Sequence, residues 1–196
     1  MNLPENFLQT PDCTFNTIHS LLEGAALPGK PFHWLTFATT NQSGAPNQRM
    51  VVIRKYDNIA NKLYFHTDMR SDKVQELSAQ PQTHLLGFDP ALQLQLRIKA
   101  KSELEHNPAI CDEIWQLAVE TNQLAYSQHV VPGTGLTAHL MLEEFVVDPH
   151  RARGHFAIVS SQIQQIDLLW LLPGGHRRCF VALAQSGEME MKLVAP

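Results

Sequence analysis

In LQLQLRIKAK, Leu92, Leu94, Leu96 and Ile98 fall on one parity, and Gln93, Gln95, Arg97 and Lys99 on the other. Successive strand residues point to opposite faces, so this alternation predicts a half-buried antiparallel strand with a polar outer face. FNTIHSLLEGAAL follows a different rule. Its Phe15, Ile18, Leu21 and Leu22 share a helical spacing and the run closes at PGKP, which predicts an N-terminal helix inside an extension over residues 1–29. HWLTFATT reads as a strand, joined by the NQSGAPN turn cluster to RMVVIRKYD in a hairpin. After the turn-rich KYDNIANK comes LYFHT, a short aromatic and β-branched strand, and then SDKVQELSA, a short helix with Ser71 at its N-cap.

Asn107-Pro108 supplies an N-cap and a proline for a first helical turn, opening a helix through AICDEIWQLAVE with Ile110, Ile114, Leu117 and Ala118 facing inward. YSQHVVPGTGL reads as a loop punctuated by Gly and Pro. MLEEFVV, HFAIVSS, IDLLWLL and RCFVALA then follow as strand candidates at short intervals, with EMEMKLVAP at the end. Strands joined by hairpins, with helices at the edges, predict an α+β fold built on an antiparallel barrel, and one domain over residues 1–196.

Composition narrows the function. A formal net charge of −4 argues against wholesale nucleic-acid binding, which needs a basic excess or stripe. There is no run of about eighteen apolar residues and no basic-then-apolar leader pattern, so a soluble, cytoplasmic protein is expected. Cys13, Cys111 and Cys179 are far apart and lack CxxC spacing, and the ten histidines show no HxxxH on a helix, so no disulfide framework or metal site is expected.

Charge distribution is more informative than its sum. Residues 102–150 contain no Lys or Arg, while Arg49, Arg54, Lys55, Lys62, Arg70, Lys73, Arg97, Lys99 and Lys101 crowd the stretch before them. Thr67 closes a strand and Ser71 opens a helix. Their hydroxyls and the free N–H groups of the helix start suit a terminal phosphate, with Lys73 and one or both of Arg49 and Arg54 adding charge. Arg49 and Arg54 are five positions apart and point to opposite faces of a regular strand. For both to reach one ligand, a bulge or a strand end must fall between them.

RMVVIRKYD, LYFHTDMRSDKVQEL and LQLQLRIKAKSELE together resemble the flavin-binding core of the pyridoxamine 5'-phosphate oxidase family, and LLPGGHRRCFVAL with the terminal KLVAP is similar to its closing strands. The resemblance implies a split β-barrel, and a homodimer holding FMN in grooves lined by both chains. It implies flavin contacts at Arg49, Met50, Val51, Val52, Ile53 and Arg54, then at His66 and Thr67, with Ser71 and Lys73 at the phosphate corner and Gln95 as a ring or ribityl partner. Gln128 resembles a partner from the other subunit, and Trp170 and Arg178 the last pair near the flavin.

Two departures accompany the resemblance. The corner reads Ser71-Asp72-Lys73 where the family usually has Ser-Arg-Lys, which sets a carboxylate beside the expected phosphate unless Asp72 points away or Arg70 compensates. The helical segment also lacks the Arg with which pyridoxamine 5'-phosphate oxidases hold their substrate's phosphate. These features imply an FMN-dependent oxidoreductase with a changed substrate site, in which Arg54, Arg151 or Arg153 are the cations left for a substrate phosphate. The competing expectation is a binding protein for FMN, heme or another cofactor on the same fold. Because the flavin carries the redox chemistry, no catalytic acid or base is assigned.

Overall fold

The computed structural model describes residues 3–118, 123–135, 149–183 and 189–196. Its elements are α1 (Pro11–Ala25), β1 (Trp34–Thr40), β2 (Pro46–Val52), β3 (Lys55–Asp57), β4 (Lys62–Asp68), α2 (Asp72–Ala79), β5 (Gln82–Asp89), β6 (Leu94–Leu104), α3 (Pro108–Leu117), α4 (Pro149–His155), β7 (Phe156–Trp170), β8 (Arg177–Leu183) and β9 (Met189–Val194). The strands form one antiparallel sheet in the order β2-β1-β5-β6-β7-β4-β3, and β8 branches from β7 to carry β9.

The alternation in β6 is realised as expected. Leu94, Leu96, Ile98 and Ala100 are buried, as are Leu35 and Phe37 of β1, Leu63 and Phe65 of β4, and Ile166 and Leu168 of β7. Helix α1 adds Ile18, Leu21 and Leu22 to the same core. Removing each large apolar side chain from water contributes about 1.5–3 kcal/mol, so the buried inner face is what holds the sheet curled.

HFAIVSS and IDLLWLL, read above as separate strands, are one fifteen-residue strand. The polar QIQQ stretch does not break it, because β7 is paired along almost its whole length to β6, with β4 on its other side first and β8 afterwards. Helix α3 has its Asn107 cap, which accepts from Ala109 N at 3.0 Å. It ends at Leu117, and that residue is 70 % exposed, not inward, since the next residue already has extended backbone. The MLEEFVV candidate lies outside the described residues.

The expected barrel is not closed by hydrogen bonds. Between β2 and β3 the chain changes partners in two residues: Ile53 N donates to His33 O and Arg54 N to Tyr64 O. The ladder therefore runs open from β2 at one end to β3 at the other.

Candidate functional site

Among the described residues, β2 pairs only with β1, and β4 beyond Tyr64 pairs only with β7. Each leaves an unpaired main-chain edge facing a slot between them. The slot is a cavity of about 250 Å³, walled by Arg49 to Val52 of β2, His66 to Asp68 of β4, Lys73 of α2 and Tyr126 of the segment after α3. Main-chain groups on such an edge are suited to hydrogen-bond a ligand.

At one end of the slot Lys73 Nζ donates to Thr67 Oγ1 at 2.7 Å and to Ser71 Oγ at 2.9 Å. Burial, and then the nearby Arg49, lower the Lys73 pKa, while Asp68, Glu76 and Asp72 work the other way. Ser71 occupies the N-cap position of α2, but its hydroxyl donates to Asp68 O at 2.7 Å and does not cap the helix. The first N–H groups of α2 are left without a side-chain acceptor, at the helix end where the backbone dipole favours an anion.

The carboxylate of the Ser71-Asp72-Lys73 corner sits elsewhere. Asp72 is exposed and lines a separate cavity with Asn41, Asn47, Gln75 and Glu76. Neighbouring helix residues are about 100° apart, so Lys73 faces the slot while Asp72 does not. Arg70 is not Asp72's counterion. It grips Asp68 through Nε (3.0 Å) and Nη2 (2.7 Å) and donates from Nη1 to Gln128 O at 3.0 Å.

Arg49 reaches the slot from β2, with its guanidinium donating from Nη2 to Glu76 at 3.1 Å and from Nη1 to Thr39 Oγ1. Arg54 lies past the end of β2, where the chain has switched to β4. A strand end thus separates the two arginines, and Arg54 is charge-coupled to His66 and Tyr126. The Tyr126 hydroxyl bonds His66 Nδ1. Burial, and then Arg54, push the His66 pKa down to about 4, and burial raises Tyr126 to about 12, so both are uncharged near neutrality. Among the described residues, His66 Nε2 and Arg54 Nε are buried without a hydrogen-bond partner. Ile53 is fully buried and faces the core.

The remaining expected contacts lie away from this slot. Gln95 and Arg178 both stand opposite Leu169, one on each side of β7. Arg178 donates twice to Asp167, at 3.0 Å each. Trp170 donates to Leu92 O at 3.2 Å and packs edge-on against Phe7. This group occupies the far end of β7 from Phe156, the partner of Asp68, roughly 45 Å of extended strand away. Gln128 lines a third cavity with Arg70 and Val131.

Thr39, Asp68, Glu76 and Tyr126 were not singled out from the sequence. Tyr126 falls in a stretch read only as loop, and Glu76 in a short helix whose outward signal was Lys73. Among the described residues no three His, Cys, Asp or Glu side chains converge to hold a metal, and no helix is long and apolar enough to cross a membrane.

Residues 16–105 match the pyridoxamine 5'-phosphate oxidase FMN-binding domain. A pyridoxine/pyridoxamine 5'-phosphate oxidase of Pseudomonas fluorescens (strain SBW25) is 31 % identical over 96 residues, covering 47 % of this chain and 44 % of the relative. One from Bordetella avium (strain 197N) is 39 % identical over 69 residues, 35 % of this chain and 32 % of the relative. The chain thus spans less than half the length of the curated relatives it matches. In fold it is similar to a pyridoxamine 5'-phosphate oxidase-related, FMN-binding protein of Nostoc punctiforme PCC 73102, at TM-score 0.75 and 20 % identity over 96 % of this chain and 100 % of that one. PhzG of Burkholderia lata 383, solved with tetrahydrophenazine-1-carboxylic acid, superposes at TM-score 0.66 and 13 % identity over 93 % and 88 %. The matched segment contains β2, β4 and α2, the three elements that build the slot, and over residues 16–105 the chain is similar to the pyridoxamine 5'-phosphate oxidase FMN-binding domain.

Proposed function

We propose that the protein binds FMN in the slot between β2 and β4 and acts as an FMN-dependent oxidoreductase. The observation that carries this reading is the convergence of Lys73, Thr67, Ser71 and Arg49 beside the uncapped start of α2, in the segment matched by the FMN-binding domain. In this reading Lys73, Arg49 and the α2 N–H groups hold the phosphate, the β2 edge over Met50 to Val52 meets the ring, and His66 and Tyr126 close the side. When bound, FMN supplies hydride and electron exchange with a small organic partner. The protein's share is to fix the ring, keep bulk water from one side and offer neutral hydrogen-bonding groups.

The slot alone is smaller than the 300–1,000 Å³ usual for a small-molecule pocket. We propose that a second copy completes it. Met50, Thr36, Leu86, Arg97, Asp167 and Phe180 are successive register partners, so they share the outer sheet face. On that outer side Trp34, Met50, Leu86 and Phe88 are 42–59 % exposed, an apolar area suited to a two-fold interface. Phe88 stands opposite Gln95. A copy packed there brings its Gln95 and Arg178 towards the slot of the first, which gives the two separated groups of expected contacts one ligand. The split barrel belongs to the same proposal, with the slot as the split.

The substrate differs from a vitamin B6 phosphate in this proposal, since residues 102–150 contain no Lys or Arg, Arg153 is held by Asp112 at 2.7 Å, Arg151 meets His129 at 2.9 Å, and Arg54 is tied to His66 and Tyr126 at the slot. The test is the visible absorption spectrum of the protein mixed with FMN and passed through a desalting column. Retained flavin bands at one FMN per chain support the reading, and a colourless protein rejects it. Reoxidation of the reduced, FMN-loaded protein by oxygen without turnover of any added amine or alcohol would favour the carrier role over the enzyme.

A further inference from the structure

Glu76 is 5 % exposed, and both its carboxylate oxygens are taken. Oε2 accepts from Thr39 Oγ1 at 2.5 Å and from Arg49 Nη2 at 3.1 Å, and Oε1 accepts from the Asn47 amide. Thr39, itself 2 % exposed, passes the chain on by accepting from Arg49 Nη1. A buried carboxylate requires this degree of satisfaction, and the donors outweigh the cost of burial, holding the Glu76 pKa below the usual carboxylate range. The network joins α2 to the β1–β2 hairpin, where Thr39 and Asn47 are direct register partners.

A purely structural tie would end at Thr39 and Asn47. This one ends on Arg49, which lines the slot. Glu76 itself lines the neighbouring cavity with Asp72 and Asn47, so it touches the slot only through Arg49. An unrestrained arginine loses side-chain entropy when it is fixed on a ligand, and prior restraint removes that loss from the binding step.

We infer that Glu76 and Thr39 are positioning residues that hold the Arg49 guanidinium at the phosphate end of the slot and so determine selectivity for a phosphorylated flavin over an unphosphorylated one. The inference rests on the FMN reading above. Neither residue touches the flavin. They act through Arg49.

The experiment compares FMN and riboflavin dissociation constants, by quenching of flavin fluorescence, in the full chain and in Thr39→Val, Glu76→Ala, Arg49→Ala and the Thr39→Val/Arg49→Ala double variant. Thr39→Val keeps shape and charge, and it carries the test if Glu76→Ala does not fold. The expected result is that Thr39→Val and Glu76→Ala each weaken FMN about five- to ten-fold and leave riboflavin unchanged, while Thr39→Val has no further effect once Arg49 is alanine. Equal losses for both ligands, no loss in Thr39→Val, tighter FMN binding in Glu76→Ala, or an undiminished Thr39→Val effect without Arg49 would each overturn it. If wild-type protein binds FMN no better than riboflavin, the phosphate corner itself is absent and both readings fall. If Arg49→Ala weakens FMN and Thr39→Val does not, only the positioning role fails.

Discussion

Lys73 Nζ lies 2.7 Å from Thr67 Oγ1, so the end of β4 and the first turn of α2 are joined by a cation before any anion arrives. The ammonium has a third N–H beyond the two given to Thr67 and Ser71. A phosphate at this corner would meet a lysine already held in place, in a partly buried setting where charge–charge attraction is stronger than in water. Lys73→Met is therefore expected to weaken FMN at least ten-fold and to leave riboflavin within two-fold, as read by fluorescence titration. Equal weakening of both flavins would place the phosphate elsewhere.

Asp72 and Lys73 are neighbours in sequence yet serve different cavities. The repulsion that the sequence suggests is reduced by this divergence. Asp72→Asn is expected to change FMN affinity by less than about three-fold, because the exposed carboxylate is screened by solvent and salt. It also removes the acidic residue from the first turn of α2, which lowers the melting temperature by about 1–2 °C through the helix dipole. A ten-fold tightening on titration would show that the carboxylate does face the phosphate.

His66 makes stability depend on pH in a defined window. Burial and then Arg54 hold its folded pKa near 4, against 6.5 in the unfolded chain. Between these values the unfolded chain binds more protons, so stability rises with pH across the window. The contribution is complete above about pH 6.5, shrinks as pH falls and is gone below about 4, and amounts to something on the order of 3 kcal/mol. Urea midpoints measured from pH 4 to 7 should fall more steeply with acid for wild type than for His66→Gln. Parallel curves would mean that His66 is not held neutral by the fold.

Legibility differed between local and non-local features. The parity of Leu94, Leu96 and Ile98 was readable because one face of β6 lies in the core and the other does not. The Asn107 cap was readable because capping uses atoms two residues apart. By contrast, the continuity of β7 through its Gln-rich centre depends on partners from β4, β6 and β8, which no local pattern encodes. In the site, Arg49, Met50, Val51, Val52, His66, Thr67 and Lys73 line one slot. Glu76 and Tyr126 stayed hidden because their partners are 27 and 60 positions away in the chain. The direction in which Asp72 points is likewise set by the packing of α2, not by its neighbours in sequence.

Gly87 tests how closely the sheet is covered by its inner face. A Cβ there would lie 2.5 Å from Leu35 Cδ2 and 2.8 Å from Phe32 Cδ1, and both of those side chains are buried. Neither has solvent to move into, so Gly87→Ala overpacks the core by one methyl. The expected loss is about 1–3 kcal/mol, seen as a melting temperature lower by about 3–10 °C. An unchanged melting temperature would show that the Phe32 ring has room to withdraw.

Phe88 is 50 % exposed and stands opposite Gln95, which places it within the outer face proposed to meet a second copy. A stable two-fold interface usually buries 1,200–2,000 Å² in total and excludes charge from its centre. Phe88→Lys puts a charge into the apolar face proposed to meet the second copy, at a site where the isolated chain loses only an exposed ring. In sedimentation velocity the wild-type chain is expected at twice its 22.1 kDa mass and the Phe88→Lys variant as a monomer with an unchanged melting transition in the absence of flavin. The same variant should release FMN on desalting although Lys73, Thr67 and Arg49 are untouched, because the walls supplied by Gln95 and Arg178 leave with the second copy. A monomeric variant that keeps its FMN would confine the whole site to one chain, and a monomeric wild type would remove the shared groove.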